Sequence, residues 1–391
     1  MKIGLVLLVG LLFLLVIVLA PVPIPPYLDF QVLYHANLGL LRGITLYDHA
    51  GQVEMIAQLA QVAPEQVYVL PFPYPPWYAL STVWLARLPI QTAARLWFGL
   101  NVIMMLVSVW LLTEGWQPIK RLASFVVAAL FPAALGGLFV GQYDFPVLLG
   151  AAWMAYALPR EKAIQTAIAA ALLTLKPHLG VPILLIVAVY LWLRRDPFGR
   201  SALKAILLVA IILFAIGFLA SPLWPLDYFH SLTGYKANIS ECQQCNNAAM
   251  DLANWLGGGF NQLLLFAAVL LILLTGWLIW QWRRLALHPV WLVSAAVLLI
   301  LFGSPYLLNY DYVLLLVPLF LLAGAARPLD WIALALAYLL PLASLLAGLG
   351  TKGNPALVSS VLLLIMAQTA RVRQIAGAQP GLLEAVPDKA R

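Results

Sequence analysis

Charge is what this chain has least of. Only 9% of its 391 residues are charged, where a soluble domain carries about 25%. So few charges cannot cover a water-facing surface, and a soluble globular protein is excluded. Cysteine is nearly absent as well. The two present, Cys242 and Cys245 in "ISECQQCNNAAMD", rule out a disulfide-stapled scaffold. A lone CxxC with no His nearby is a poor zinc site, which leaves one loop disulfide or two idle thiols. The period-two alternation of a membrane β-barrel is missing too. Unbroken apolar runs recur instead, such as "IGLVLLVGLLFLLVIVLA" at 3–20, long enough to cross about 30 Å of hydrocarbon. The fold class is therefore all-α, a polytopic membrane helix bundle.

About 12 transmembrane helices are expected, at 3–20, 97–112, 122–140, 144–158, 163–175, 179–193, 202–221, 261–282, 289–303, 308–323, 329–347 and 356–370. The first run has the outline of a signal peptide, with Lys2 ahead of it and "VLA" before Pro21. Its apolar core is long for one, and a retained helix is the expectation. The segment "PPWYALSTVWLARLPI" at 75–90 is ambiguous, and charge arbitrates. If it does not cross and the N-terminus is cytoplasmic, all but six of the 22 basic residues fall inside. The six outside are Arg42, Arg87, Arg95, Lys176, Lys236 and Lys352. The opposite threading reverses the ratio, so the positive-inside bias favours a re-entrant or interfacial 75–90 and cytoplasmic termini. The same bias accounts for the net charge of +7; the basic residues are scattered through short loops, and no nucleic-acid partner is implied.

One transmembrane domain over 1–370 follows, with a cytoplasmic tail at 371–391. Its two long outer loops, 21–96 and 222–260, are expected to carry short interfacial helices. Over 30–41, Phe30, Leu33, Tyr34, Leu38 and Leu41 share one face. Asp48 precedes a second amphipathic stretch, "HAGQVEMIAQLAQ". Asn238-Ile-Ser240 in the second loop matches a glycosylation sequon, a weak three-residue signal.

With this threading the unusual polar groups all fall outside: Asp29, His35 and Arg42 in the first loop, "GQYD" at 141–144, "KPH" at 176–178 and "SPYLLNYD" at 304–311. Each has a bland reading. Asp29 and Asp144 could cap helices, Lys176 could snorkel from a helix end, His178 could bond a backbone carbonyl, and Asn309 to Asp311 could form an Asx-turn. Their gathering on one face points to a site open to one compartment, as in an enzyme fed from the membrane. A transporter would place polar residues near the midplane, often within inverted repeats.

In chain order these segments resemble the GT-C superfamily of membrane glycosyltransferases, and within it the polyprenyl-phosphate-mannose-dependent mannosyltransferases of glycosyltransferase family 87. The resembling features are "DFQVLYHANLGLLRGITLYD" after the first span, "FPYPPWYALSTVWLARLP", "ARLWFGLN" at 94–101, "GQYD", "LLTLKPHLGVPILLIVAVYLWLRR" at 172–195 and "SPYLLNYDYVLLLVP" at 304–318. The resemblance implies transfer of a sugar, mannose by analogy, from a polyprenyl-phosphate donor to a lipid or glycan acceptor on the non-cytoplasmic face of the plasma membrane. It implies a catalytic base in the first loop, which falls on Asp29, and inversion by a single displacement. Lys176, His178 and Arg42 are the candidates for the donor phosphate, with Lys236 as a second loop cation. His35, Gln142, Tyr143, Asp144, Asn309, Tyr310 and Asp311 are those for sugar and acceptor. The family often shows a Trp and a His after "SP"; here "YLLNYD" follows, with no His. No cofactor is implied. Asp29, Asp144 and Asp311 could make an oxygen-rich cation site, but no metal is assigned. The competing reading is a transporter or flippase of lipid-linked sugars.

Overall fold

A computed structural model of the chain describes residues 28–240, 265, 268–269, 272–277, 280, 288–304, 307–346 and 355–378. The expected spans at 3–20 and, for the most part, at 261–282 lie outside these residues, as do Cys242 and Cys245. The described residues are helical, with no strand among them. The helices are α1 (Leu28–Leu41), α2 (His49–Ala60), α3 (Pro76–Thr82), α4 (Ile90–Leu112), α5 (Pro118–Ala129), α6 (Pro132–Val140), α7 (Asp144–Ala157), α8 (Ala163–Leu173), α9 (Pro177–Arg194), α10 (Pro197–Gly217), α11 (Trp224–Ser240), α12 (Pro289–Gly303), α13 (Leu316–Ala323), α14 (Asp330–Leu346) and α15 (Pro355–Ala378).

The chain is a helical membrane protein, but the count of about 12 spans is not reached by the described residues. Three helices, α4, α9 and α10, are long and apolar enough to cross, or four if the bent pair α5 and α6 makes one span. Two expected spans lie wholly or mostly outside the described residues, and two physical reasons add to the shortfall. The apolar runs of α8 and α12 form helices of 11 and 15 residues, and at 1.5 Å per residue these fall short of about 30 Å. The expected span at 122–140 is broken: α5 and α6 meet at 56°. Pro132 sits where it starts α6 but cannot continue α5, having no N–H to give the ladder. Segment 75–90 is the seven-residue α3 followed by a 3₁₀ turn, Val83–Arg87, too short for a spanning helix. The last helix runs on to Ala378, past the expected end at 370.

Two apolar cores hold these elements. The larger unites α7, α8, α9 and α12 with the 3₁₀ helix Asn309–Leu315 and α13. The smaller gathers first-loop residues, including Phe30, Leu33, Tyr74 and Tyr78, around Trp97 and Tyr143. α1 therefore packs into protein through Phe30, Leu33 and the fully buried Asn37, with Leu41 of the expected face left exposed. α2 begins where the sequence places it: Asp48 Oδ1 accepts from Gly51 N at 2.9 Å. α10 has only 17% of its apolar window buried. Leu207, Leu208, Ile211 and Phe214 lie open on it, surface that lipid covers in a membrane protein.

The junction of α8 and α9 admits no bulk at Gly180. A Cβ there would sit 1.8 Å from the carbonyl oxygen of Leu173, and a backbone atom cannot rotate away. Gly180→Ala is expected to cost about 3 kcal/mol, the top of the overpacking range. A lowered thermal unfolding midpoint in detergent would register it; an unchanged midpoint would mean the two helices part without cost.

Candidate functional site

The site is built around the tight turn between α6 and α7. Gly141 adopts φ 73°, ψ 38°, a left-handed conformation that only glycine takes without penalty. The carbonyls of α6 are then closed in a Schellman pattern, Gln142 N donating to Gly137 O at 2.9 Å. Two side chains one turn apart on α4 hold the turn from the other side. Trp97 Nε1 donates to Gly141 O at 2.8 Å, and Asn101 Nδ2 to Gln142 O at 3.1 Å. The turn is also the seam between the cores, with Tyr143 in the smaller and Phe145 in the larger.

Two groups meet at this seam. In the first, Gln142 Nε2 donates to Asp29 Oδ2 at 3.1 Å, while its Oε1 accepts from Tyr143 N at 2.8 Å. The Tyr143 hydroxyl donates to Asp29 O and accepts from Leu33 N. Residues 29 and 33 are the pair that an α-helix joins directly, so the phenol bridges the first turn of α1. Asp29 is half-buried, and its Oδ1 takes no hydrogen bond from the described residues. Burial pushes this carboxyl up to about 6; Lys176 pulls the other way and Asp311 adds to the rise.

The second group is fully enclosed. Lys176 Nζ bonds Asp144 Oδ1 at 2.6 Å and Asp311 Oδ1 at 2.5 Å, with all three side chains nearly or wholly buried. Each residue sits where its element turns. Asp144 opens α7, Lys176 precedes Pro177 at the start of α9, and Asp311 lies in the 3₁₀ helix. Asp311 Oδ2 also accepts from Leu308 N at 2.6 Å. The Tyr310 ring lies 5.1 Å from the ammonium, within cation–π reach. Asp144 Oδ2 and the Tyr78 hydroxyl are buried with no partner among the described residues.

The structure thus brings together Asp29, Gln142, Tyr143, Asp144, Lys176, Tyr310 and Asp311. His178 lies close by, half-buried and within reach of the fields of Lys176 and Asp311. Asn309 opens the 3₁₀ helix that carries Asp311. His35 and Arg42 stand apart. His35 lines a shallow pocket with Gln31 and Tyr68, where burial lowers its imidazole to about 4. Arg42 is exposed beyond the end of α1, about 20 Å along the chain from Asp29 at 1.5 Å per residue. Of the expected rim at 222–260, residues 241–260 lie outside the described residues, and Trp224–Ser240 forms α11. Among the described residues no group of three or more His, Cys, Asp or Glu could hold a metal ion; Asp144 and Asp311 face Lys176 instead. Sequence reasoning missed the parts played by Trp97 and Asn101. Their signal was an i, i+4 pair able to hydrogen-bond within an otherwise apolar helix.

The family description "Glycosyltransferase family 87" matches residues 72–307. Gln142, Tyr143, Asp144 and Lys176 lie within that stretch, and Asp29 and Asp311 outside it. No curated protein matches the chain.

Proposed function

Because the chain belongs to glycosyltransferase family 87, we propose that it moves a sugar, mannose in our reading, from a polyprenyl-phosphate donor to a lipid or glycan acceptor. The reaction takes place on the non-cytoplasmic face of the plasma membrane. The observation that carries this reading is Asp29, a half-buried carboxylate with one oxygen held and the other without a bond from the described residues.

In the proposed step the acceptor hydroxyl approaches Asp29 Oδ1. Its oxygen forms a bond to the anomeric carbon as the bond from that carbon to the donor phosphate breaks. The hydroxyl proton passes to Asp29, the electron pair leaves with the phosphate, and the anomeric centre inverts. General-base help of this kind is worth about 10²–10⁴-fold. The burial that raises the Asp29 carboxyl also strengthens it as a base near neutral pH.

The leaving phosphate needs positive charge. Among the described residues, Lys176 is the cation whose field reaches Asp29. Two of its three N–H groups are taken by carboxylates, so a phosphate would meet the third, with His178 two residues on. Arg42 would have to act on a more distant part of the donor. Asp144 Oδ2 and the Tyr78 hydroxyl, buried and without a partner among the described residues, suit sugar hydroxyls entering the seam. Asn309, Tyr310 and Asp311 border the same space.

Purified protein in liposomes, given radiolabelled polyprenyl-phosphate-mannose and membrane lipid extract, is expected to yield a labelled glycolipid. The base works ionised, so kcat should fall tenfold per pH unit below about 6, where the Asp29 carboxyl titrates. Movement of the intact donor across the bilayer without transfer would favour the flippase instead. A rate indifferent to pH between 4 and 8 would remove Asp29 as the base.

A further inference from the structure

The Gln142 side chain has no freedom in what it offers Asp29. Its amide sits between Tyr143 N–H, which needs an acceptor, and the Asp29 carboxylate, which needs a donor. Turned over, the amide would set N–H against N–H and oxygen against oxygen, so one orientation survives. Gln142 is only 2% exposed, its backbone is pinned by Asn101, and Gly141 fixes the turn behind it. Its neighbour grips the same residue by another handle, since the Tyr143 hydroxyl bridges Asp29 O and Leu33 N. The Tyr143 ring is wedged between Tyr74, 4.6 Å away, and Tyr78, 5.5 Å away.

We propose that Gln142 and Tyr143 are positioning residues for Asp29: the amide holds Oδ2, the phenol holds the backbone, and Oδ1 is left aimed at the acceptor hydroxyl. Both had been expected to touch sugar directly. The geometry gives them a role one step removed, acting through Asp29, and the proposal rests on reading Asp29 as the base. A donor on Oδ2 favours the ionised carboxylate. The charged groups whose fields also reach it are Lys176 and Asp311, and neither variant below alters them.

The test needs a readout independent of the sugar. Dicyclohexylcarbodiimide reacts with protonated carboxylic acids, so labelling of Asp29, followed by mass spectrometry against pH, reports its titration in the full chain. Gln142→Met keeps the bulk and loses the donor. It is expected to move the labelling midpoint up by about one pH unit. In the transfer assay it should lower kcat about fivefold near pH 6, leave KM for donor and acceptor unchanged, and recover activity at pH 8. Tyr143→Phe keeps the ring and loses only the hydroxyl. It should lower kcat about tenfold with KM unchanged, and it serves if Gln142→Met does not fold. An unmoved midpoint in Gln142→Met, or a raised KM with kcat intact in either variant, would overturn the proposal and return these residues to sugar binding. Failure of the base reading looks different: Asp29→Asn would transfer as the parent does, whatever the midpoint in Gln142→Met.

Discussion

Asp29→Asn should lose at least about a hundredfold in kcat while the protein becomes more stable. The loss follows from the chemistry, because an amide cannot accept the acceptor's proton and general-base help is worth about 10²–10⁴-fold. The gain follows from burial. A carboxyl raised from 3.8 to about 6 contributes stability that is full below pH 3.8 and lost as pH rises through 6. At pH 7 the ionised side chain therefore costs roughly 3 kcal/mol. Asparagine removes that cost and still accepts from Gln142 Nε2 through its own oxygen. Thermal unfolding in detergent at pH 7, run beside the transfer assay, would show both effects. Activity retained in the folded variant would leave Asp29 as a helix-end residue and move the search for the base to Asp144 and Asp311.

Lys176→Met should cost 3–5 kcal/mol, because it strands two buried carboxylates without their cation. The predicted drop in unfolding midpoint is the largest of any single change at the site. A control separates charge from packing. In Lys176→Met, Asp144→Asn, Asp311→Asn combined, no charge remains in the cluster, and a buried ionic triad replaced by well-packed apolar residues of similar volume is often neutral or better. Asparagine at 311 can still accept from Leu308 N. The triple variant should regain most of the lost stability and stay inactive. If it is as unstable as the single variant, Lys176 matters for its packing and not for its charge.

Apolar runs made most of the helices legible, since a stretch such as 289–303 has few alternatives once it is too hydrophobic for water. α12 starts and stops at those positions. The run at 122–140 passes as one apolar stretch by hydropathy, and the 56° bend within it comes from Pro132, whose missing N–H breaks the ladder. The site was legible only as a set of candidates. Asp144, Lys176 and Asp311 are conspicuous one by one in a chain with so few charges, and so is Asp29. That two carboxylates would share the one lysine is a tertiary fact, reached across 32 and 135 residues of sequence. His35 and Arg42 entered the set because they share a loop with Asp29, and the helix rise then carried Arg42 away from it. Gln142 was chosen for its polarity, but its contact lies 113 residues upstream, beyond anything local spacing reveals.

Those separations bear on how the enzyme is made. Asp29 leaves the ribosome 113 residues ahead of its Gln142 partner, and Asp311 follows Lys176 by 135. At about 5–20 residues per second, the lysine waits on the order of ten seconds for its second carboxylate. A chain halted before residue 311 inserts most of its helices yet holds a half-paired cation at its centre. The Asp311 contact, made late in the chain, thus closes a cluster whose other carboxylate, Asp144, precedes the lysine by 32 residues.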